Sequence, residues 1–321
     1  MRALLAIAVV VISPALVHAQ GSYPSRPITL VMPVAPGSSS EGETRAWTDR
    51  LSEGLGQPMV IEFKPGGGTV IALSHVAQAR PDGYTLGTNN INMALIPLKF
   101  DNPPVDIKNF EYVSLLNKRV NYLIVGGQVP VNNLKEFVAY AKANPGALNF
   151  AANGEGSVDH IMGLWLMSAT GIKGTFIHYK AASTQTADLL AGRSHVVLGS
   201  LVGSYTPLLK SGKLRAIGTA ALSRGPQAPD LPTLQEQGIP EYEAPGFVGL
   251  IAPPKTPAAI INRLNAEISK AAKSPELQKR LGSAVLIVGS SPAEFRQAME
   301  KFTSRFGSLA KEFNINMKEG G

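Results

Sequence analysis

Cysteine is missing altogether from the 321 residues. Thiolate nucleophiles, thiolate zinc sites, iron–sulfur clusters and disulfides are thereby excluded. A small secreted scaffold would need such cross-links. A chain of this length with 44% hydrophobic residues can bury its own core, in about two domains. Charge is sparse as well: only 17% of residues are Asp, Glu, Lys or Arg, and the net charge of +7 comes from scattered positions. Without a basic stripe interleaved with aromatics, nucleic-acid binding is not expected. A mildly positive chain can still draw small anions.

Catalytic signatures are missing too. There is no Gly-x-Ser-x-Gly elbow to seat a hydrolase serine. The five histidines, His18, His75, His160, His178 and His195, include no pair at the spacing of His-Glu-x-x-His. His160 follows Ser157 by three residues near a helix start, where a buried, hydrogen-bonded side chain and a ligand contact both fit. Neither Glu41 nor Glu43 has a partner acid that sequence can place nearby, and a lone carboxylate there stabilises a helix start. No cofactor is expected.

Met1 to Ala19 reads as an export signal. Arg2 supplies the charge, Leu4 to Val11 begins the apolar core, and Val17-His18-Ala19 is the small-x-small cleavage site before Gln20. The apolar part is short and broken by Pro14, and nothing later approaches a membrane span.

The rest is organised around Ile28 to Arg45. Ile28, Leu30, Val31, Met32 and Val34 form an apolar run, the pattern of a strand covered on both faces. Pro36-Gly37 breaks it. Ser40 and Glu43 have capping-box spacing, and Trp47, Leu51 and Leu55 mark one face of the helix that follows. Free backbone N–H groups and the positive end of the helix dipole would make this turn an anion site. Gly37 and Gly42 have P-loop spacing, but Glu43 stands where that motif needs Lys.

Further strands are expected at Met59 to Phe63, Tyr84 to Thr88, Phe110 to Leu116, Tyr122 to Val125, Asn149 to Ala152, Lys173 to Tyr179, Val196 to Ser200, Ala216 to Ala220 and Phe247 to Ala252. The glycine-rich turn Lys64 to Thr69 lets a backbone approach a ligand or simply turns tightly, and Ile71 takes the place of a dinucleotide fingerprint's third glycine. Asn133 with Glu136 starts a helix. Asn153 to Ser157 repeats the opening element, and Ile161, Leu164, Trp165 and Ser168 share one face of its helix. Thr256-Pro257, Ser274-Pro275 and Ser291-Pro292 open three closing helices, each with Pro at the first helical position. In the last, Phe295, Met299, Phe302, Phe306 and Leu309 form a packing stripe. Strands alternating with helices give an α/β fold with mostly parallel sheets. One strand–turn–helix element in each half predicts two such domains facing a cleft.

Several segments occur together in one order: Tyr23 to Ile28, Pro36-Gly37, Pro65-Gly66, Pro81-Asp82-Gly83-Tyr84-Thr85-Leu86, Tyr140 to Gly146, Tyr179-Lys180 and Pro229-Asp230-Leu231-Pro232-Thr233. In these the chain resembles Bug-type periplasmic solute receptors of the tripartite tricarboxylate transporter family, over nearly all of its length past the signal. The resemblance implies a type II periplasmic-binding-protein fold, two α/β domains joined by hinge strands around a ligand cleft. Domain 1 would comprise residues 20–123 and 219–321, and domain 2 residues 124–218, with hinges near Leu123 and Gly218. It implies a monomeric periplasmic protein that hands a small carboxylate to a membrane permease. Carried over by position, the ligand turns are Ser38, Ser39 and Ser40; Gly66, Gly67 and Thr69; Asn89 and Asn90; Asn153, Gly156, Ser157 and His160; Lys180, Ala181 and Ala182; and Ser200.

The chain departs from the family pattern at Ser38, Glu41, Val70, Phe176, His178 and His195. An aromatic diacid such as terephthalate suits a mostly uncharged pocket, with other di- or tricarboxylates as alternatives. An exported serine hydrolase using Ser157 and His160 is the competing reading, although two residues so spaced on one helix lack a third group to orient the base.

Overall fold

A computed structural model describes residues 23–179, 182–201, 205–244, 246–315 and 317; of residues 39, 182 and 284 the backbone alone is described. The expected signal, residues 1–19, and the site candidates Lys180 and Ala181 lie outside the described residues.

The first lobe opens with β1 (Ile28–Met32), α1 (Ser39–Leu55), β2 (Met59–Phe63), α2 (Val70–Ala77), β3 (Thr85–Asn89), α3 (Ile96–Lys99) and β4 (Glu111–Arg119). The second is β5 (Asn121–Gly126), α4 (Leu134–Ala143), β6 (Asn149–Ala152), α5 (Val158–Thr170), β7 (Thr175–His178), α6 (Ala182–Ala191), β8 (Val196–Ser200), α7 (Tyr205–Lys210) and β9 (Leu214–Thr219). The chain then returns through β10 (Gly246–Ala252), α8 (Ala258–Ala271), α9 (Pro275–Leu281), β11 (Leu286–Ile287) and α10 (Pro292–Glu312).

The expected α/β architecture is present as two sheets, ordered β11-β4-β10-β3-β1-β2 and β7-β6-β8-β5-β9. Each has parallel strands at its heart, β2-β1-β3 in one and β7-β6-β8 in the other. Beside them runs an antiparallel strand by which the chain crosses in from the other lobe, β10 in the first and β5 in the second, and β11 adds another reversed strand at the edge of the first sheet. This shared plan is that of type II periplasmic binding proteins.

The lobes meet where the chain crosses. Only Val120 separates β4 from β5. Ala220 N–H donates to Asn121 O at 2.8 Å, Ala244 N–H to Ala220 O at 2.9 Å, and Asn121 Nδ2 to Ala244 O at 2.9 Å, so the outgoing and returning segments are bonded together. Leu123 and Gly218 pair with each other inside the second sheet, just past this crossing.

One apolar cluster runs through both lobes, and α10 carries it. Phe295, Met299, Phe302, Phe306 and Leu309 are all buried, as their helical spacing predicts. Phe302 stacks on Phe247 of β10, while Arg305 lies 4.2 Å over the Trp165 ring of α5. Helix α5 differs from the expected one-faced helix. It is buried from His160 to Met167 except at Leu164, which is half-buried, while Ser168 of the expected face is exposed; sheet, α10 and the Tyr242 loop all press on it. Ser274 and Ser291 cap α9 and α10 with Pro at the first helical position. In α8, Pro257 is itself the cap residue, because the Thr256 hydroxyl turns back to Pro253 O.

Candidate functional site

Strand register fixes where the carboxyl ends lie. Arg119, at the end of β4, pairs with Gly246 at the start of β10, and β10 runs antiparallel to β3. The carboxyl ends of β4, β3, β1 and β2 therefore share one edge of the first sheet. Asn121, at the start of β5, pairs with Ser200, the last residue of β8, and β8 is parallel to β6 and so to β7. Those carboxyl ends share one edge of the second sheet. Val120 joins the two edges, so the turns that follow the parallel strands of both lobes open on the same crossing.

In the first lobe the turn after β1 passes through Gly37, in the left-handed region at φ +85°, to Ser38. Ser38, not Ser40, caps α1. Its hydroxyl accepts Glu41 N–H at 3.3 Å, and Glu41 takes Gly37 N–H at 2.6 Å. That backbone bond and the Arg45 guanidinium at 2.7 Å hold the Glu41 carboxyl below its usual range. The capping box expected at Ser40 and Glu43 does not form, because Glu43 is claimed from a distance. Its carboxylate, on a residue 9% exposed, accepts Asn117 Nδ2 and Arg119 Nε, both at 2.7 Å. Arg119 also donates to Ser40 Oγ at 3.2 Å. The last residue before the crossing is thereby tied to the first turn of α1.

Ser40, Asn89 and Asn90 come together with Thr44 around one small pocket at this edge. The Thr44 hydroxyl and Asn89 Oδ1 are buried there without a partner. Asn90 caps the turn after β3 through Asn92 N–H. Gly66, Gly67, Gly68 and Thr69 all have positive φ, and the Ile71 side chain lies against Gly66, where a Cβ would come within 2.8 Å of it.

In the second lobe Asn153 donates its N–H and its Nδ2 to Asp159 Oδ2, at 2.7 and 3.0 Å. Burial nevertheless raises the Asp159 pKa against these bonds. Ser157 is the cap of α5; its hydroxyl donates to Gly154 O at 2.6 Å and accepts His160 N–H at 3.4 Å. His160 Nδ1 accepts Gly156 N–H at 3.0 Å, which puts the ring proton on Nε2. Burial first, and His178 second, lower the His160 pKa. Its ring lies 4.5 Å from Phe176 and 5.1 Å from His178, both edge-on. Ser200 ends β8 at the same edge, and the backbone of Ala182 opens α6 there.

This geometry removes the hydrolase reading. The Ser157 hydroxyl turns to Gly154 O and the Asp159 carboxylate, not to His160, and the His160 nitrogen that could act as base already accepts a backbone N–H. Among the described residues no group of His, Asp and Glu could hold a metal ion, and no helix is long and apolar enough to cross a membrane. The Arg119–Glu43–Asn117 network left no mark in the sequence, since Glu43 lies more than seventy residues before both of its partners.

A model of the tripartite tricarboxylate transporter family receptor matches residues 44–315. Among solved structures, periplasmic binding protein BugD superposes with a TM-score of 0.77 at 28% identity, over 92% of this chain and 100% of that one. An R. palustris protein with adipate gives 0.79 at 28% identity, over 91% and 99%. MatC from Rhodopseudomonas palustris, with bound malate, gives 0.73 at 30% identity, over 89% and 99%. With its two like-ordered sheets and paired serine turns, the chain belongs to the tripartite tricarboxylate transporter receptors, as a Bug-type periplasmic solute-binding receptor and not an enzyme.

Proposed function

We propose that this receptor captures a small dicarboxylate between its two lobes and presents it to a membrane permease, with the turns at Ser38–Ser40, Gly66–Thr69, Asn89–Asn90, Asn153–His160, 180–182 and Ser200 as the ligand surface. The observation that carries this is the register at the crossing: Asn121 opposite Ser200 and Arg119 opposite Gly246 bring both sets of turns to one opening. A diacid fits better than a monoacid because each lobe offers its own polar turn. The similarity to proteins holding adipate and malate supports the same class. Terephthalate is the diacid we place first, because the rings of His160, Phe176 and His178 form a wall beside the second turn against which a flat ring can lie.

In this reading the moving bodies are the two sheets with their helices, β5 and β9 going whole with the second, so the boundaries expected at 123/124 and 218/219 shift outward by a few residues. Bending falls on Val120 and on the returning segment, next to the paired Leu123 and Gly218. Ligand stabilises the closed form only by touching both bodies at once. One chain supplies both walls, so the receptor works as a monomer. Residues 1–19 direct its export, and protein recovered from the periplasm should begin at Gln20.

Calorimetry tests the function directly, with terephthalate, adipate, malate, citrate, benzoate and hexanoate. One-to-one binding of at least one diacid, tighter than its monoacid counterpart, is the expected result. No heat from any of the six would sink the proposal.

A further inference from the structure

The wall of the second lobe holds a polar side chain that neither turn uses. Gln185 sits in the first turn of α6, only 5% exposed. Its Oε1 accepts the Tyr205 hydroxyl at 3.2 Å. Its Nε2 is buried and has no hydrogen-bond partner. A buried donor left unpaired is costly, so its retention asks for a partner that arrives from elsewhere.

The surroundings place the start of α6, and Gln185 with it, at the edge of the sheet where the second lobe's turns lie. Tyr205 opens α7 just after β8, and its ring lies over Gly199, where an added Cβ would come within 3.0 Å of Cε2. Thr186 hydrogen-bonds the Tyr205 hydroxyl as well. Burial, followed by the nearby Asp159 charge, raises the pKa of that hydroxyl, so it stays a proton donor. Gln185, Tyr205 and Asp159 thus come from three helix starts that follow β7, β8 and β6, all at the edge shared with Asn153, Ser157 and Ser200. Tyr205 fixes one end of the amide and leaves the other end to donate.

We propose that Gln185 is a specificity-determining residue of this receptor, donating Nε2–H to a second acceptor oxygen of the bound acid, with Tyr205 as its positioning residue. This rests on the reading of the chain as a receptor for a small acid. The ligand class is then a diacid, or an acid with a distal keto or hydroxyl oxygen. A site built to hydrogen-bond such an oxygen rejects the analogue lacking it, because the donor is left unpaired.

The test uses matched pairs, adipate against hexanoate and terephthalate against 4-methylbenzoate, titrated into the full chain by calorimetry. In the pair that binds, the natural protein should prefer the diacid by at least tenfold. Gln185→Leu should cut that preference by about tenfold while leaving the monoacid affinity within twofold. Tyr205→Phe keeps the ring over Gly199 and should cut the preference by about threefold; it carries the test alone if Gln185→Leu fails to fold. An unchanged preference in the folded variants, or an equal loss for both members of a pair, overturns the role of Gln185. Binding of some other small acid but of neither pair also overturns the role of Gln185, whereas binding of no small acid at all means that the receptor reading itself has failed, so the two failures are told apart.

Discussion

After β1 the chain turns through Gly37 and Ser38 into α1, and after β6 it turns through Gly154 to Ser157 into α5. In both, a serine caps the helix and a carboxylate of the first turn accepts the N–H that opens the turn. What surrounds the carboxylate differs. Glu41 is half-buried beside Arg45, and its charge is stabilised by Gly37 N–H and by that guanidinium. Asp159 is held above its usual range by burial, and the next amide, Gly156 N–H, rests on a neutral imidazole. At the opposite edge of the same sheet His195 does likewise, its Nδ1 accepting Asn149 N–H at 3.0 Å, with its pKa lowered by burial. The same local construction has thus been given a fixed charge in one lobe and titrating acceptors in the other. The first lobe should depend on ion pairing, the second on pH.

The largest effect should come from Arg119→Ala. It leaves the buried Glu43 carboxylate with Asn117 alone, and loss of one partner of a buried pair costs about 3–5 kcal/mol. Denaturant unfolding measures it, and a loss under 1 kcal/mol would mean that water replaces the guanidinium and the first lobe does not rely on the pair.

Next come the caps. Ser38→Ala should cost about 1 kcal/mol of stability, whereas Ser157→Ala, which also loses the bond to Gly154 O, should cost up to about 2 kcal/mol. Thermal melts of the two variants side by side would show whether the caps are equivalent. If Ser157 also meets the acid, its variant should bind more weakly by about a further 1–3 kcal/mol in calorimetry.

The pH response sets the lobes apart again. The ordinary pKa of His160 and His195 is 6.5, and both are lowered in the folded chain. Below pH 6.5 the unfolded chain takes up protons that the folded chain refuses, so stability falls as pH drops through 6.5 toward the folded values. Above pH 7 this contribution is flat. Asp159 runs the other way, because its raised folded pKa returns stability as the pH falls through it. Melting temperatures between pH 7.5 and pH 5.5 should therefore decline, and decline less in His160→Gln with His195→Gln. Equal slopes in both proteins would remove the histidines from the account.

The smallest effect is electrostatic. Glu41→Gln keeps an acceptor for Gly37 N–H and removes a negative charge beside the acid site, so diacid binding should tighten by about twofold to fivefold, more at low salt. Unchanged affinity at every salt concentration would place Glu41 away from the ligand.

Much of this frame could be read from the sequence because it obeys local rules. β2, β6 and β8 occupy the spans their apolar runs predict, β1 is buried on both faces as its pattern predicts, and Asn133, Ser157, Ser274 and Ser291 cap where the spacing predicts. The cap of α1, expected at Ser40 with Glu43, forms two residues earlier at Ser38 with Glu41, a pair of the same spacing. Only the distant Arg119 and Asn117 decide between them. β11, of two residues, owes its existence to pairing with β4 and has no pattern of its own. Gln185 gave no signal either, since a glutamine in the first turn of a helix is ordinary until burial and a missing partner distinguish it.

X-ray scattering in solution, with the acid of the panel that binds most tightly, tests the central claim most directly. If one acid bridges the turns of both lobes, the radius of gyration should fall on saturation, and the fall should vanish in a variant that no longer binds. An unchanged radius with the site fully occupied would contradict capture between the lobes.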